Sequence, residues 1–273
     1  MDFESAYSWI LFRVSFTIYC YQYLEYGFDL KINPYFLALI LFASSMALGA
    51  ETLDEAKTAI DAGDFNTAAA IYKDLAAQGN AKAQYNLGLM FSYGNGIKED
   101  RVEALKWYRA SAEQGFVEAQ YKLGTILLRR EWGMPDYAES IKWYTKAAEQ
   151  GHARSQLDLG VAYLRGEIVD YDAEAAQKWF TKAAGQGNKE AQFDLGNMYL
   201  RIEGPERNAV LGYMWLLISS DFGANPDHRR TRMVHFTESK MTPEQIAEGK
   251  RLAQECIASQ LKDCPAGSFK GVN

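Results

Sequence analysis

Histidine, an excess of one charge and long apolar runs are all scarce in this chain, and each shortage argues against a class of function. The 273 residues hold three histidines, His152, His228 and His235. They form no H-x-x-x-H pair and have no glutamate at ligand spacing, so no metal site is expected. Bases and acids stand at 29 to 35 and are mixed along the chain, which leaves no basic stripe to follow phosphates and argues against a nucleic-acid partner. The longest apolar stretch, Tyr35 to Leu48, reaches only about 14 residues where a membrane-spanning helix needs about 20. A Gly-rich phosphate loop, a G-x-S-x-G elbow and an H-E-x-x-H helix are missing too. No cofactor and no small-molecule substrate are expected.

What is present can build a core: 48% of residues are hydrophobic and 14% aromatic, which excludes disordered and collagen-like classes. The apolar run 35–43 follows Lys31 and leads into the small-residue stretch 44–50, the pattern of a secretory signal peptide. Residues 30–50 therefore read as a leader cleaved after Ala50, or failing that after Ala47, delivering a periplasmic or secreted protein. An uncleaved leader tethering it to the membrane is the alternative. Residues 1–29 carry Asp2, Glu4, Glu25 and Asp29, an acidic arm on which signal peptides do not open. They are expected to be a gene-start artefact or a disordered arm, with translation beginning at Leu30. Beyond the leader only Cys256 and Cys264 remain, an even pair in an oxidising compartment, and a disulfide between them is expected.

From residue 79 the chain repeats itself. Gly79, Gly115, Gly151, Gly187 and Gly223 are spaced 36 apart, as are Gly88, Gly124, Gly160 and Gly196, and Trp107, Trp143, Trp179 and Trp215. Independent columns holding one period without insertion mark a repeat array. Within a unit, Ala83, Leu87, Phe91 and Gly94 trace one face of a first helix. Asp100, Asp136, Asp172 and Asn208 are N-caps of a second helix, and Glu103 and Glu139 are placed to close capping boxes. The Gly79 column ends the second helix in a left-handed turn. Gly88 and its counterparts cost helix propensity, which close packing of the two helices explains, with the bulky Trp column needing the room. That column, beside Ala104, Ser140, Ala176 and Gly212, reads as a core layer.

The stretches 81–91, 104–108 (Ala-Leu-Lys-Trp-Tyr) and 112–115 (Ala-Glu-Gln-Gly), with their counterparts downstream, resemble the Sel-one-like repeat, a relative of the tetratricopeptide repeat. The resemblance implies an all-α, right-handed α/α superhelical solenoid of 36-residue helix-turn-helix repeats. Units fall at 79–114, 115–150, 151–186 and 187–222, between a capping helix pair at 51–78 and capping helices with a tail at 223–273. In the second unit, residues 130–133 (Arg-Glu-Trp-Gly) replace Gly94-Asn95-Gly96, so its inter-helix loop is expected to differ. Thr242-Pro243-Glu244-Gln245 starts the last helix with a cap, a first-turn proline and a capping-box glutamine.

The resemblance also implies a role without catalysis: a scaffold or adaptor of the envelope or secreted space that binds another protein or an extended peptide. Ser259-Gln260-Leu261-Lys262 matches the S-x-x-K of penicillin-interacting serine enzymes, to which cysteine-rich members of the family have been linked. It lacks the S-D-N and K-T-G companions, so a serine hydrolase stands as the alternative. In the related fold the first helices line the concave face. Carried onto this register, the groove positions are Lys82, Tyr85, Leu89 and Ser92 with their counterparts, among them Thr125, Val161 and Asn197. Tyr85, Tyr121, Leu157 and Phe193 form an apolar row expected to be exposed there. Arg129, Arg165 and Arg201 form a row at the ends of the first helices, placed to grip carboxylates of an acidic or C-terminal peptide.

Overall fold

A computed structural model describes residues 53–129, 132–201, 208–223 and 229–265. The leader, the arm before it and both expected cleavage sites lie outside the described residues. Twelve α-helices and no strand occur among them. After a helix over 53–61, α1, come α2 (Phe65–Ala77), α3 (Ala81–Tyr93), α4 (Arg101–Glu113), α5 (Val117–Leu127), α6 (Tyr137–Glu149), α7 (Ala153–Arg165), α8 (Ala173–Gly185), α9 (Lys189–Arg201), α10 (Ala209–Ser219), α11 (Arg229–Glu238) and α12 (Pro243–Ala258). From α2 to α10 each helix packs on the one before and the one after it. A chain of nearest-neighbour contacts of this kind is a solenoid.

Local chemistry sets the helix ends. Asp100, Asp136, Asp172 and Asn208 accept backbone N–H bonds from the first turns of α4, α6, α8 and α10. Capping boxes at Glu103 and Glu139 do not form: Glu103 pairs with Lys106, and Glu139 turns to Arg109 of the preceding unit and to the Trp143 indole. The N–H that each glutamate would take is already donated to a carbonyl of the preceding helix, Asp100 to Phe91 and Asp136 to Leu127, both at 2.9 Å. Thr242 and Gln245 do close the box at α12. Gly79, Gly115, Gly151 and Gly187 all have φ between 82° and 93°. After each, the next residue's N–H bonds the carbonyl five back, as in Asn80 to Leu75 and His152 to Ala147, both 3.0 Å. This is the two-bond stop that the left-handed residue permits.

The inter-helix loops share a second fixed bond. The N–H groups of Asp100, Asp136, Asp172 and Asn208 donate to the carbonyls of Phe91, Leu127, Tyr163 and Tyr199. The second unit keeps it although its loop differs: α5 ends at Leu127, whereas α3 and α7 run on to left-handed Gly94 and Gly166.

The Gly88 column makes room for a different residue from the one expected. A Cβ on Gly88 would meet the Tyr108 ring at 2.8 Å, on Gly124 the Tyr144 ring at 2.9 Å, and on Gly160 the Phe180 ring at 2.5 Å. The ring seated on each glycine thus belongs to the residue after the tryptophan, because that position faces the partner helix of the same unit. Each tryptophan sits at the seam between units: Trp143 clusters with Ala112 of the preceding unit and with Ala119 and Leu123 of its own first helix, and Trp179 with Tyr144 and Ala148 of the preceding unit and Leu159 of its own. In the fourth unit Leu211 occupies the place of Glu139, so the buried Trp215 indole N–H has no acceptor.

A polar ladder runs through the apolar layers. Buried Gln84, Gln120, Gln156 and Gln192 donate to the carbonyls of Ala76, Ala112, Ala148 and Ala184 at 2.9–3.2 Å. Gln114, Gln150 and Gln186 donate in turn to the amide oxygens of Gln84, Gln120 and Gln156 at 2.7–2.8 Å. Each unit is pinned to the end of its predecessor. At the fourth unit Phe222 takes the place of the next glutamine and the ladder stops.

Both C-terminal helices close over α10, which is buried on nearly every side. Gly249 of α12 lies where a Cβ would meet the Tyr213 ring at 2.5 Å.

Candidate binding groove

The apolar row expected to be exposed is partly covered in its first two members and buried in its last two. Tyr85 packs its ring 5.4 Å from Phe116, and Tyr121 lies 4.6 Å from His152, so each is covered by the residue that starts the next first helix. The Arg229 guanidinium lies over the Phe193 ring at 4.8 Å. Leu157 and Phe193 are only 3% and 5% exposed. Stacking one unit on the next buries Leu157 and Phe193 and leaves Tyr85 and Tyr121 half-buried, so the second half of the row supplies the floor of the face and not its surface.

Four of the residues assigned to the groove, Leu157, Val161, Arg165 and Phe193, come together in one concave pocket of about 590 Å³. Arg154, Asp158, Glu190, Asp194, Arg229 and Arg230 complete its walls, so α7, α9 and α11 all contribute. Lys82, Tyr85, Leu89, Tyr121, Thr125, Arg129, Asn197 and Arg201 do not line it. Thr125 accepts a 3.1 Å hydrogen bond from the Tyr144 hydroxyl, and Ser92 bonds that of Tyr108, so both anchor the second helix. Arg165 and Arg201 occupy the last positions of α7 and α9, whereas Arg129 stands beyond the early end of α5.

The six further wall residues follow the 36-residue spacing. Arg154 and Glu190 are counterparts of Lys82. Asp158 and Asp194 continue the column Asn86, Lys122, which turns acidic in the last two units. Arg229 and Arg230 fall 36 after Phe193 and Asp194, so α11 keeps the register of a fifth first helix. That signal was present in the sequence, masked by the loss of other repeat residues around α11.

The pocket holds both signs of charge. Arg154 binds Asp158 at 3.2 Å and Glu190 at 2.9 Å. Burial raises the Asp158 carboxyl above its ordinary range, against the pull of Arg154 and the Tyr121 hydroxyl. Burial also raises that of Asp194, opposed by Arg229, Arg165 and Arg230. Neither Asp194 nor Arg165 makes a side-chain hydrogen bond or ion pair among the described residues.

Elsewhere the candidate groups have structural roles. Ser259 caps α12, its Oγ donating to the Cys256 carbonyl and accepting from the Asp263 N–H. Cys256 and Cys264 are paired, with Cα atoms 4.6 Å apart. His152 is the N-cap of α7, its Nδ1 accepting from the Ser155 N–H at 3.1 Å, and burial lowers its pKa. Among the described residues no three His, Cys, Asp or Glu side chains are grouped to hold a metal, and no helix is long and apolar enough to cross a membrane.

The Sel1 repeat profile matches residues 81–116, 117–152, 153–188 and 189–221, about half of the chain. Comparison with curated proteins gives no match. Among solved structures the chain is similar to a protective antigen present in uropathogenic Escherichia coli strains and displaying an SLR fold, at 32% identity and a TM-score of 0.60, covering 76% of this chain and 46% of that one. It spans less than half the length of that relative. It is also similar to a Sel1 repeat protein from Oxalobacter formigenes, at 32% identity and a TM-score of 0.57, covering 70% of this chain and 79% of that one. With four consecutive matched units, a 36-residue period kept by the N-caps of the second helices and the glycines that stop them, and glycines seated on aromatic rings in three of those units, the chain belongs to the Sel1 repeat family.

Proposed function

We propose that this protein is a non-catalytic scaffold that holds a segment of another protein in the concave pocket formed by α7, α9 and α11. Sel1 repeats are a protein-interaction family, and one observation carries the reading to this place. The pocket has an apolar floor, Leu157, Val161 and Phe193, ringed by charged side chains of both signs. Apolar contact ringed by polar groups is the composition of a recognition site. The arginine row contributes through Arg165. The leader motif at 30–50 and the Cys256–Cys264 pair support export to the envelope or beyond.

A photo-crosslinking residue placed at Val161 in the native cell envelope tests the groove. A discrete protein adduct should form, and it should disappear when Arg129, Arg165 and Arg201 are all changed to Ala, with helical content unaltered. The same probe at exposed Lys178 should yield no such adduct. Equal adducts from both positions, or an adduct indifferent to the arginine changes, would overturn the reading.

A further inference from the structure

We propose that the pocket seats a lysine or arginine of the partner adjoining a carboxylate of the same segment, the cation against Asp194 and the carboxylate against Arg165. The inference rests on the groove reading above and specifies its ligand chemistry.

The assignment follows from which charged groups are already engaged. Arg154 is held between Asp158 and Glu190, Arg229 lies on the Phe193 ring, and Arg230 has a contact of its own. Asp194 and Arg165 are left. Asp194 is half-buried, and although Arg229, Arg165 and Arg230 act on it through space, none bonds it directly and its loss of water outweighs their pull, an unfavourable arrangement for a carboxylate. A cation arriving from outside relieves it.

The surroundings narrow the choice. Four arginines face three acids across the pocket. A purely acidic segment meets Asp158, Glu190 and Asp194, and a cation alone meets the surplus positive charge. A cation accompanied by a carboxylate balances both and gives Arg165 a forked, charge-assisted contact. The apolar floor of Leu157, Val161 and Phe193 suits the methylene stem of a basic side chain, which buries its carbons while its head stays polar. A volume near 590 Å³ is that of a small-ligand site, right for one long side chain and its carboxylate and too small for a helix.

Fluorescein-labelled Gly-Ala-Gly-Ala-Lys with a free C-terminal carboxylate combines the two groups and serves as the probe. It should bind at least about tenfold more tightly than its C-terminal amide, and than the peptides ending in norleucine or glutamate, a factor within reach of one charge-assisted contact. Asp194→Asn should erase the preference for lysine over norleucine. Arg165→Ala should erase the distinction between free acid and amide and leave the lysine preference in place. Failure of every peptide to bind, equal or tighter binding of the glutamate peptide, or an unchanged lysine preference in Asp194→Asn would each refute the proposal. If the Val161 adduct and its dependence on the arginines persist in any of those cases, this inference falls while the groove reading stands. Loss of the adduct specificity removes the groove reading itself.

Discussion

At the scale of single residues, the two glycine columns do different physical work, and alanine substitution separates them. Gly160 has helical geometry, but a Cβ there would stand 2.5 Å from the Phe180 ring. Gly160→Ala should destabilise the fold by about 2–3 kcal/mol through overpacking. Phe180→Leu, the residue type that the fourth unit uses at Leu216, should recover part of that loss. Gly151 has φ 93° and nothing within 4 Å of a Cβ, so Gly151→Ala costs only the left-handed conformation, about 1–2 kcal/mol. Chemical denaturation of the three variants checks the order, and additive effects of Gly160→Ala and Phe180→Leu would contradict the contact. His152 makes a second residue-scale case. Its neutral Nδ1 caps α7 and burial lowers its pKa, so the unfolded chain takes up the proton first. The stabilisation is complete above the ordinary value of 6.5 and is lost as pH falls through that value toward the lowered one. His152→Asn, matching Asn80 and Asn188 at the same position in other units, should retain the cap and flatten the dependence of Tm on pH between 7 and 5.

Between neighbouring elements, the glutamine ladder holds the register that apolar layers leave loose. Gln156 is buried and joins the Ala148 carbonyl to Gln186. Gln156→Leu fits the space but removes both of these bonds, leaving the Ala148 carbonyl with the Gly151 N–H, and should cost about 1 kcal/mol. Gln186 is largely exposed, and Gln186→Ala should cost about 1 kcal/mol or less because water replaces its bond. At the other end of the chain, α12 stops in a left-handed turn at Gln260 and Leu261, with φ 56° and 65°, without the glycine that the other units use. The Cys256–Cys264 pair closes a short loop around this turn, and Leu261 and Cys264 pack on the C-terminal core. Cys264→Ser should lower stability by roughly 2–3 kcal/mol in the chain-entropy account, and reductant should affect the wild type but not the variant. Titration of the denatured, unreduced protein should find neither thiol free; two reactive thiols would rule the bond out.

For the whole molecule, the four units lean on one another in sequence and on α12 at the end. The α10 sequence AVLGYMWLLIS is apolar around its full circumference, and such a helix is stable in water only when enclosed. Truncation after Gly223 removes α11 and α12, exposes α10, and should convert a folded chain into an aggregating one, as seen by light scattering and loss of a sharp melt. The leader adds a processing prediction: the mature N-terminus should be Glu51, and recovery of only the uncleaved chain in membranes would favour the tethered form.

The sequence by itself determined the elements and their period. Helix starts depend on local hydrogen bonds accepted by Asp100, Asp136, Asp172 and Asn208, helix stops on glycines that reach positive φ, and both operate within about five residues of chain. Tertiary structure decided what faced what. Trp107 and Tyr108 are adjacent columns with equally strong periodicity, and only the packing angle of the two helices puts Tyr108 on Gly88 and sets the Trp column at the seam between units. Leu157 and Phe193 read as exposed groove residues because a helical face shows where a side chain points, not what the next unit lays over it. Asp158, Asp194 and Arg229 were in register all along, yet their union in one pocket depends on α11 docking as a fifth first helix. That docking is set by burial of α10, a property of the assembled molecule and of no single segment.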